Sequence, residues 1–248
     1  MGVFRFKRFD VINEKSAMKV NTDGVLLGAL MSIEPSDRNL LDIGTGTGTI
    51  ALMAAQRLSS ATGCSPDTEE VCIQAIDIDE ASATEAGVNF RNSPWSGILH
   101  AFHAPLSDFS ETSEGRRYDL IFSNPPYFED SLNAPEERRN NARHTSTGLS
   151  YREILEFATE RLSENGRVAF VLPAETEASL CRHARMSGLH LFRIVRVRTV
   201  PRKQPSRIIA EFSRSRIASP EDFILTIQNE GKYTSEYLSL MHDFYLFA

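Results

Sequence analysis

Leu40-Leu41-Asp42-Ile43-Gly44-Thr45-Gly46-Thr47-Gly48 decides the fold of this chain. The first four residues read as a short buried strand, and the alternating glycines that follow permit positive φ and let a ligand approach the backbone. Thr49-Ile50-Ala51-Leu52-Met53-Ala54-Ala55-Gln56-Arg57-Leu58 then places its apolar residues at helical spacing. Strand, glycine turn and helix make a nucleotide-binding βα unit, whose free N–H groups at the helix start suit a carboxylate or phosphate. Thr49 stands where the dinucleotide pattern Gly-x-Gly-x-x-Gly has its third glycine, which argues against a dinucleotide ligand. Asp42 can accept from an ammonium or a backbone amide, or simply cap the turn.

Working outward, Val71-Cys72-Ile73-Gln74-Ala75-Ile76-Asp77-Ile78-Asp79 reads as a second strand ending in carboxylates. Asp77 is placed to accept bidentately from a ribose diol, and Asp79 to cap a helix that begins at Glu80. A third strand, Tyr118-Asp119-Leu120-Ile121-Phe122-Ser123, runs into Asn124-Pro125-Pro126-Tyr127. The prolines lock φ and remove backbone donors, so the chain leaves the strand in a stiff bend. There the Asn124 side-chain oxygen and the Pro125 carbonyl can grip a planar exocyclic amino group, with the Tyr127 ring against the heterocycle. A proline turn closing a strand is the blander reading of the same residues.

These three motifs, in this order, resemble motifs I, II and IV of Rossmann-like S-adenosylmethionine-dependent amino-methyltransferases. Ala17-Met18-Lys19-Val20-Asn21-Thr22-Asp23-Gly24-Val25-Leu26-Leu27-Gly28-Ala29 and Ala142-Arg143-His144-Thr145 are similar to stretches of the bacterial tRNA-Val adenine-N6 methyltransferases, which modify the adenosine next to the anticodon. The likeness runs nearly the whole chain, to Tyr233-Thr234-Ser235-Glu236-Tyr237 and Asp243-Phe244-Tyr245-Leu246. It implies an α/β fold with a mostly parallel seven-stranded sheet, one strand antiparallel, and helices on both faces. It also implies S-adenosylmethionine as cofactor, held by Thr22, Asp23, Asp42, Gly44, Gly46, Gly48 and Asp77. Relatives outside this family often place an acid after the strand that here lies near Ile98, to read the cofactor adenine. Here the stretch is His103-Ala104-Pro105-Leu106-Ser107-Asp108, which leaves Asp108 as the candidate.

The chain has 248 residues, 41% of them hydrophobic, enough for one large α/β domain, with an extension through Ile33 ahead of it. No uninterrupted apolar segment could span a bilayer, and Met1-Gly2-Val3-Phe4-Arg5-Phe6-Lys7-Arg8 lacks a signal-peptide core. Cys64, Cys72 and Cys181 are odd in number and in no metal-ligand spacing, so the expectation is a cytoplasmic protein with reduced thiols and no metal site.

Net charge is −6, yet the charge is uneven. Between Arg182 and Arg216 ten cations face the single acid Glu211: Arg182, Arg185, Arg193, Arg196, Arg198, Arg202, Lys203, Arg207, Arg214 and Arg216. Such a segment would attract phosphates, so RNA contact is expected there, with Arg202 and Lys203 in a turn bracketed by Pro201 and Pro205. Phe4, Phe6 and Phe9 are interleaved with basic residues near the amino end, and packing on the core is the favoured reading for them. Asn165-Gly166 reads as a tight turn into the strand Arg167-Val168-Ala169-Phe170-Val171-Leu172. Further pairing candidates are Leu189 to Val197, Arg207 to Phe212 and Phe223 to Ile227. Residues 129–150 form a polar loop just after the amine-binding motif, placed to act as a lid.

The chemistry expected is methyl transfer to adenine N6 in a tRNA anticodon loop, where the base is single-stranded and cheap to extrude. Asn124, Pro125 and Tyr127 would be catalytic, and Phe128 a second wall of the base site. Arg143 and His144 would contact RNA, since a lone loop histidine beside an arginine suits phosphate better than general-base work. Three alternatives use parts of the same pattern. A ribosomal-RNA or DNA amino-methyltransferase fits the cations equally, a protein glutamine N5-methyltransferase fits only the Asn-Pro-Pro-Tyr motif, and an idle RNA-binding module would not need both motifs intact.

Overall fold

The computed structural model describes residues 2–62, 71–112, 115–126 and 149–248. Tyr127, Phe128, Arg143, His144 and nearly all of the expected lid lie outside the described residues. An antiparallel pair, β1 (Val3–Arg5) and β2 (Asp10–Ile12), precedes the main sheet. That sheet comprises β3 (Asn39–Ile43), β4 (Cys72–Asp77), β5 (Leu99–His103), β6 (Tyr118–Ser123), β7 (Leu162–Pro173), β8 (His190–Arg198), β9 (Arg207–Ser213) and β10 (Glu221–Thr226). A second short pair, β11 (Gln228–Asn229) and β12 (Lys232–Tyr233), follows it.

In space the sheet runs β10-β8-β9-β7-β6-β3-β4-β5. Strand β9 runs against both of its neighbours, and every other pairing is parallel. The α/β class, the mostly parallel sheet and the one reversed strand stand as expected, but among the described residues the sheet has eight strands rather than seven. The eighth is β10, which pairs parallel with β8 from Glu221 opposite Arg193 to Thr226 opposite Arg198. Side chains secure this edge: Arg193 Nε meets Glu221 at 3.0 Å, Arg196 binds Asp222, and Arg198 Nε donates to Thr226 Oγ1 at 2.8 Å.

Alternation along each strand feeds two apolar layers. Leu40, Leu120, Phe122 and Val171 point to one face, where the helices Thr22–Leu30, Thr49–Thr62 and Glu80–Arg91 contribute to the same core. Leu41, Ile43, Ile121 and Phe170 point to the other, under Tyr151–Arg161 and Glu177–Met186. Phe6 and Phe9 are buried in the first layer and stack on each other at 4.5 Å, with Phe4 packed beside them, so these rings serve the core. Lys7 joins the two ends of the molecule, its amide donating to Phe244 O at 2.8 Å and its Nζ to Ala248 O at 2.8 Å.

Asn165-Gly166 does not make the expected turn into a strand. Leu162 pairs with Tyr118 and Arg167 with Leu120, so residues 163–166 bulge out of a strand already under way. A Cβ on Gly166 would sit 2.6 Å from Tyr118 O, which is why the bulge needs glycine there. Among the described residues no helix is long and apolar enough to cross a membrane.

Candidate functional site

The parallel strands β3, β4 and β6 deliver Asp42, Asp77 and Asn124 to one edge of the sheet, where open α/β sheets hold their ligands. Asp42, next to last in β3, is fully buried; its Oδ2 accepts from Thr45 Oγ1 at 2.7 Å, and Oδ1 meets no donor within hydrogen-bonding geometry among the described residues. Burial pushes its carboxyl up to about 7, helped by the charge of Asp77 and opposed by the Thr45 bond.

Asp77 closes β4 with both oxygens engaged. Oδ2 accepts from the Gly46 amide at 2.8 Å and Oδ1 from the Asp79 amide at 2.9 Å. Burial raises its pKa and the two amides hold it back. Asp79 caps the helix Glu80–Arg91 by accepting from Ser82 N at 2.8 Å and Ser82 Oγ at 2.6 Å, bonds that hold its carboxyl below the usual range. Gly44 and Gly46 line the site in the left-handed region, at φ 73° and 55°. Gly48 lines neither recess of the site: at φ 81° its missing Cβ makes room for Phe90, whose ring carbon would lie 2.5 Å away. Its role is to let the helix Glu80–Arg91 pack against the turn.

The main pocket has a volume of about 350 Å³. Ile43, Ile76, Ile78, Pro105 and Leu106 give it apolar walls around the Asp77 carboxylate. This combination accepts a flat heterocycle carrying a sugar diol. A smaller recess adjoins it, lined by Asn21, Gly24, Thr47, Thr49 and Ile50 at the amino end of the helix Thr49–Thr62, a polar setting suited to a carboxylate. Asn124 borders both recesses. It is 5% exposed, its Nδ2 donates to Met18 Sδ at 3.6 Å, and Ser123 Oγ bonds Ile43 O at 2.6 Å, holding the ends of β6 and β3 together. Pro126 lines the main pocket, and Pro125 is buried behind it.

Besides Gly48 and the fully buried Asp42, which line neither recess, three expected cofactor residues sit elsewhere. Thr22 and Asp23 line neither recess, and Asp23 accepts from Arg207 Nε at 2.7 Å, because the helix Thr22–Leu30 turns it toward β9. Their neighbours Asn21 and Gly24 take the position at the site, with Asn21 capping the helix through Gly24 N at 2.8 Å. Asp108 is exposed and accepts from Ser107 Oγ at 2.9 Å, while Ser107 is the residue that lines the pocket.

The Arg182–Arg216 excess is also smaller on the surface than in the sequence. Arg193 binds Glu211 at 2.8 Å, Arg196 binds Glu177 at 2.5 Å, Arg207 binds Asp23, and Arg214 donates to Thr159 O at 2.6 Å. These cations hold the fold. Arg202 and Lys203 remain exposed on the turn after β8.

Sequence reading missed Glu85. This buried carboxylate accepts from the amides of Glu14, Lys15 and Ser16 at 3.0, 2.6 and 3.1 Å. One turn on, Asn89 bonds both backbone groups of Ile12 and Thr47 O. Together they clamp residues 12–18 over the glycine turn, which sets Ala17 and Met18 into the pocket wall. Glu153, also at the pocket, was legible as the fourth residue of the capping box Ser150-Tyr151-Arg152-Glu153, which the structure forms in full.

A glycine turn, an acid closing the second strand and an Asn-Pro-Pro bend converging on one pocket define a Rossmann-like S-adenosylmethionine-dependent methyltransferase. Residues 16–186 match the family model described as "Methyltransferase small domain". A curated tRNA1(Val) (adenine(37)-N6)-methyltransferase of Parabacteroides distasonis is 41% identical over 98% of this chain and 97% of its own length, and one of Haemophilus influenzae is 37% identical over 99% of each. The chain belongs to this tRNA1(Val) (adenine(37)-N6)-methyltransferase family. Solved structures share the fold alone. A SAM-dependent methyltransferase from Agrobacterium tumefaciens aligns at TM-score 0.56 and 12% identity over 86% of this chain and 70% of its own. The type I restriction-modification methyltransferase subunit of Streptococcus thermophilus aligns at TM-score 0.56 and 16% identity over 94% and 53%.

Proposed function

We propose that this enzyme methylates N6 of adenosine in tRNA, at the adenosine 3′ of the tRNA-Val anticodon, acting in the cytoplasm as one domain over residues 1–248 with an extension to about residue 33. The observation that carries this reading is Asn124, buried at the junction of the two recesses on a bend that Pro125 and Pro126 stiffen.

The residues fit the cofactor. Asp77 would take the ribose diol, Ile78 and Leu106 the adenine, and the recess at Asn21 and Thr49 the amino-acid end, with Asp42 bonded to Thr45 of its wall. Bound there, S-adenosylmethionine supplies an electrophilic methyl group. The chain's own work is on the amine. Adenine N6 is a weak nucleophile because its lone pair is delocalised into the ring. Acceptors from the Asn124 side chain and the Pro125 carbonyl favour the pyramidal nitrogen and the positive charge that grows on it. No strong base is needed before attack, and the rest of the acceleration comes from alignment. Tyr127 and Phe128 would flank the base, with Arg143 and His144 on the RNA; these roles rest on sequence alone.

Incubation with labelled S-adenosylmethionine and separated tRNA, ribosomal RNA, DNA and protein, followed by nucleoside analysis, tests the reading. N6-methyladenosine confined to tRNA is expected. Label in another fraction, or at another atom, would discard it.

A further inference from the structure

We propose that the aromatic cluster built by Tyr233, Tyr245 and Phe247 is a second RNA-contact surface, on which an unpaired base of the substrate stacks outside the methyl-accepting site. The proposal rests on the tRNA reading above. Tyr233 lies against Phe247 at 5.3 Å with planes 14° apart, and Tyr245 meets Phe247 at 4.9 Å. Tyr245 is anchored inward by Phe6 at 6.0 Å, so the outer rings stand on a fixed base. Yet Tyr233 is 41% and Phe247 58% exposed. A preassembled stack with an open outer ring offers a face that any base can cover, and the ordering cost is already met.

Position beside the exposed Arg202–Lys203 turn favours RNA as the occupant. Thr199 O accepts from Gln228 N at 2.8 Å and Arg198 O from Ile227 N at 3.0 Å, which ties β11 to the start of the turn carrying Arg202 and Lys203. Lys232, beside Tyr233, is also exposed; Glu230 and Glu236 are the nearest acids in the chain. Strands β6, β8 and β10 run in the same direction, so this turn and the β11–β12 pair open at the same sheet edge as Asn124. Strand β10 is four places from β6 in the sheet, about 19 Å at ordinary strand spacing. That separation is too large for the target adenosine itself and suits another nucleotide of the same loop or stem.

The test uses the full chain and intact tRNA, with Tyr233→Ala/Phe247→Ala, the ring-preserving Tyr233→Phe/Phe247→Tyr, and wild type. The alanine pair should weaken tRNA binding roughly tenfold or more, with an unchanged salt slope, since stacking releases no counterions. Affinity for S-adenosylmethionine should stay at the wild-type value, and the ring-preserving pair should bind tRNA normally. Wild-type tRNA affinity in a folded alanine pair overturns the proposal while leaving the tRNA reading intact. So does a wild-type enzyme that sediments as a dimer and a monomeric alanine pair, which would make the cluster a contact between copies. A wild type that methylates no tRNA removes both.

Discussion

At the scale of single residues the site separates two duties onto strands two places apart in the sheet. Asn124 acts on the incoming amine, so Asn124→Ala is expected to reduce turnover by at least two orders of magnitude, as loss of a group that stabilises developing charge does, with cofactor affinity near wild type. Turnover within a few-fold of wild type would remove charge stabilisation from its role. Asp77 acts on the cofactor, and Asp77→Ala should weaken its binding by about 1–3 kcal/mol in calorimetry, the value of charge-assisted hydrogen bonds. Asp42 gives a pH signature. An unfolded aspartate titrates near about 4, whereas in the fold burial holds the proton up to about 7. The native state therefore binds more protons across that window, and the stability this group contributes is lost as pH rises through it. Thermal melts of the cofactor-free protein should show that the decline from about pH 4 to 7 flattens in Asp42→Asn; superimposable pH slopes would show that Asp42 ionises as an exposed carboxylate does. Asp77 and Asn124 were legible as residues at the site because one closes and the other follows a strand whose apolar run announces it, while Asp42, next to last in its strand, is buried out of both recesses. Asp23 and Asp108 were misplaced for the complementary reason. A helix start or a loop tells the residue type required nearby, and which of two neighbours faces the ligand is set by tertiary contact, here the Arg207 pairing of Asp23.

At the scale of elements, the pocket wall depends on a clamp between the helix Glu80–Arg91 and residues 12–18. Glu85 satisfies three amides at once. Glu85→Ala should cost about 3 kcal/mol of stability, because it leaves buried donors without an acceptor. The same change should speed hydrogen exchange at residues 14–16 and raise the Kd for S-adenosylmethionine, and Glu85→Gln should recover part of both. Equal exchange rates in the alanine variant and wild type would show that the segment holds itself in place. The sequence could not reveal this clamp, since its partners are 69 to 71 positions apart and neither side carries a periodic signal. The helices themselves were legible where their signals are local, as in the Asp79 cap. The bulge at residues 163–166 was not, because an Asn-Gly pair reads alike in a turn and in a distorted strand.

At the scale of the molecule, a chain of net charge −6 leaves Arg202 and Lys203 exposed on a turn at the substrate edge while engaging other cations in ion pairs. The sequence shows where the arginines are and is silent on their partners, so an apparently continuous basic face resolves into the paired Arg193, Arg196 and Arg207, exposed cations at Arg182, Arg185 and Arg216, and the turn at Arg202 and Lys203. Replacing those two with alanine should lower tRNA affinity and reduce its salt slope by up to about two, without changing cofactor binding. A slope equal to wild type in a filter-binding titration would take this turn out of the RNA interface.

The Lys7 clasp bears on the order in which the molecule is made. Residues 4–9 pack on residues 241–248, and the strand pair they form leads directly into the segment that walls the pocket. Synthesis proceeds from the amino end, so the glycine turn and its flanking strands can assemble on the ribosome while residues 4–9 still lack their counterpart. The nascent protein would then hold a formed sheet with the β1–β2 pair undocked until residues 241–248 emerge. A chain ending at Leu240, examined by hydrogen exchange, should keep protection in β3, in β6 and at the Glu85-bonded residues 14–16, and lose it across residues 3–9.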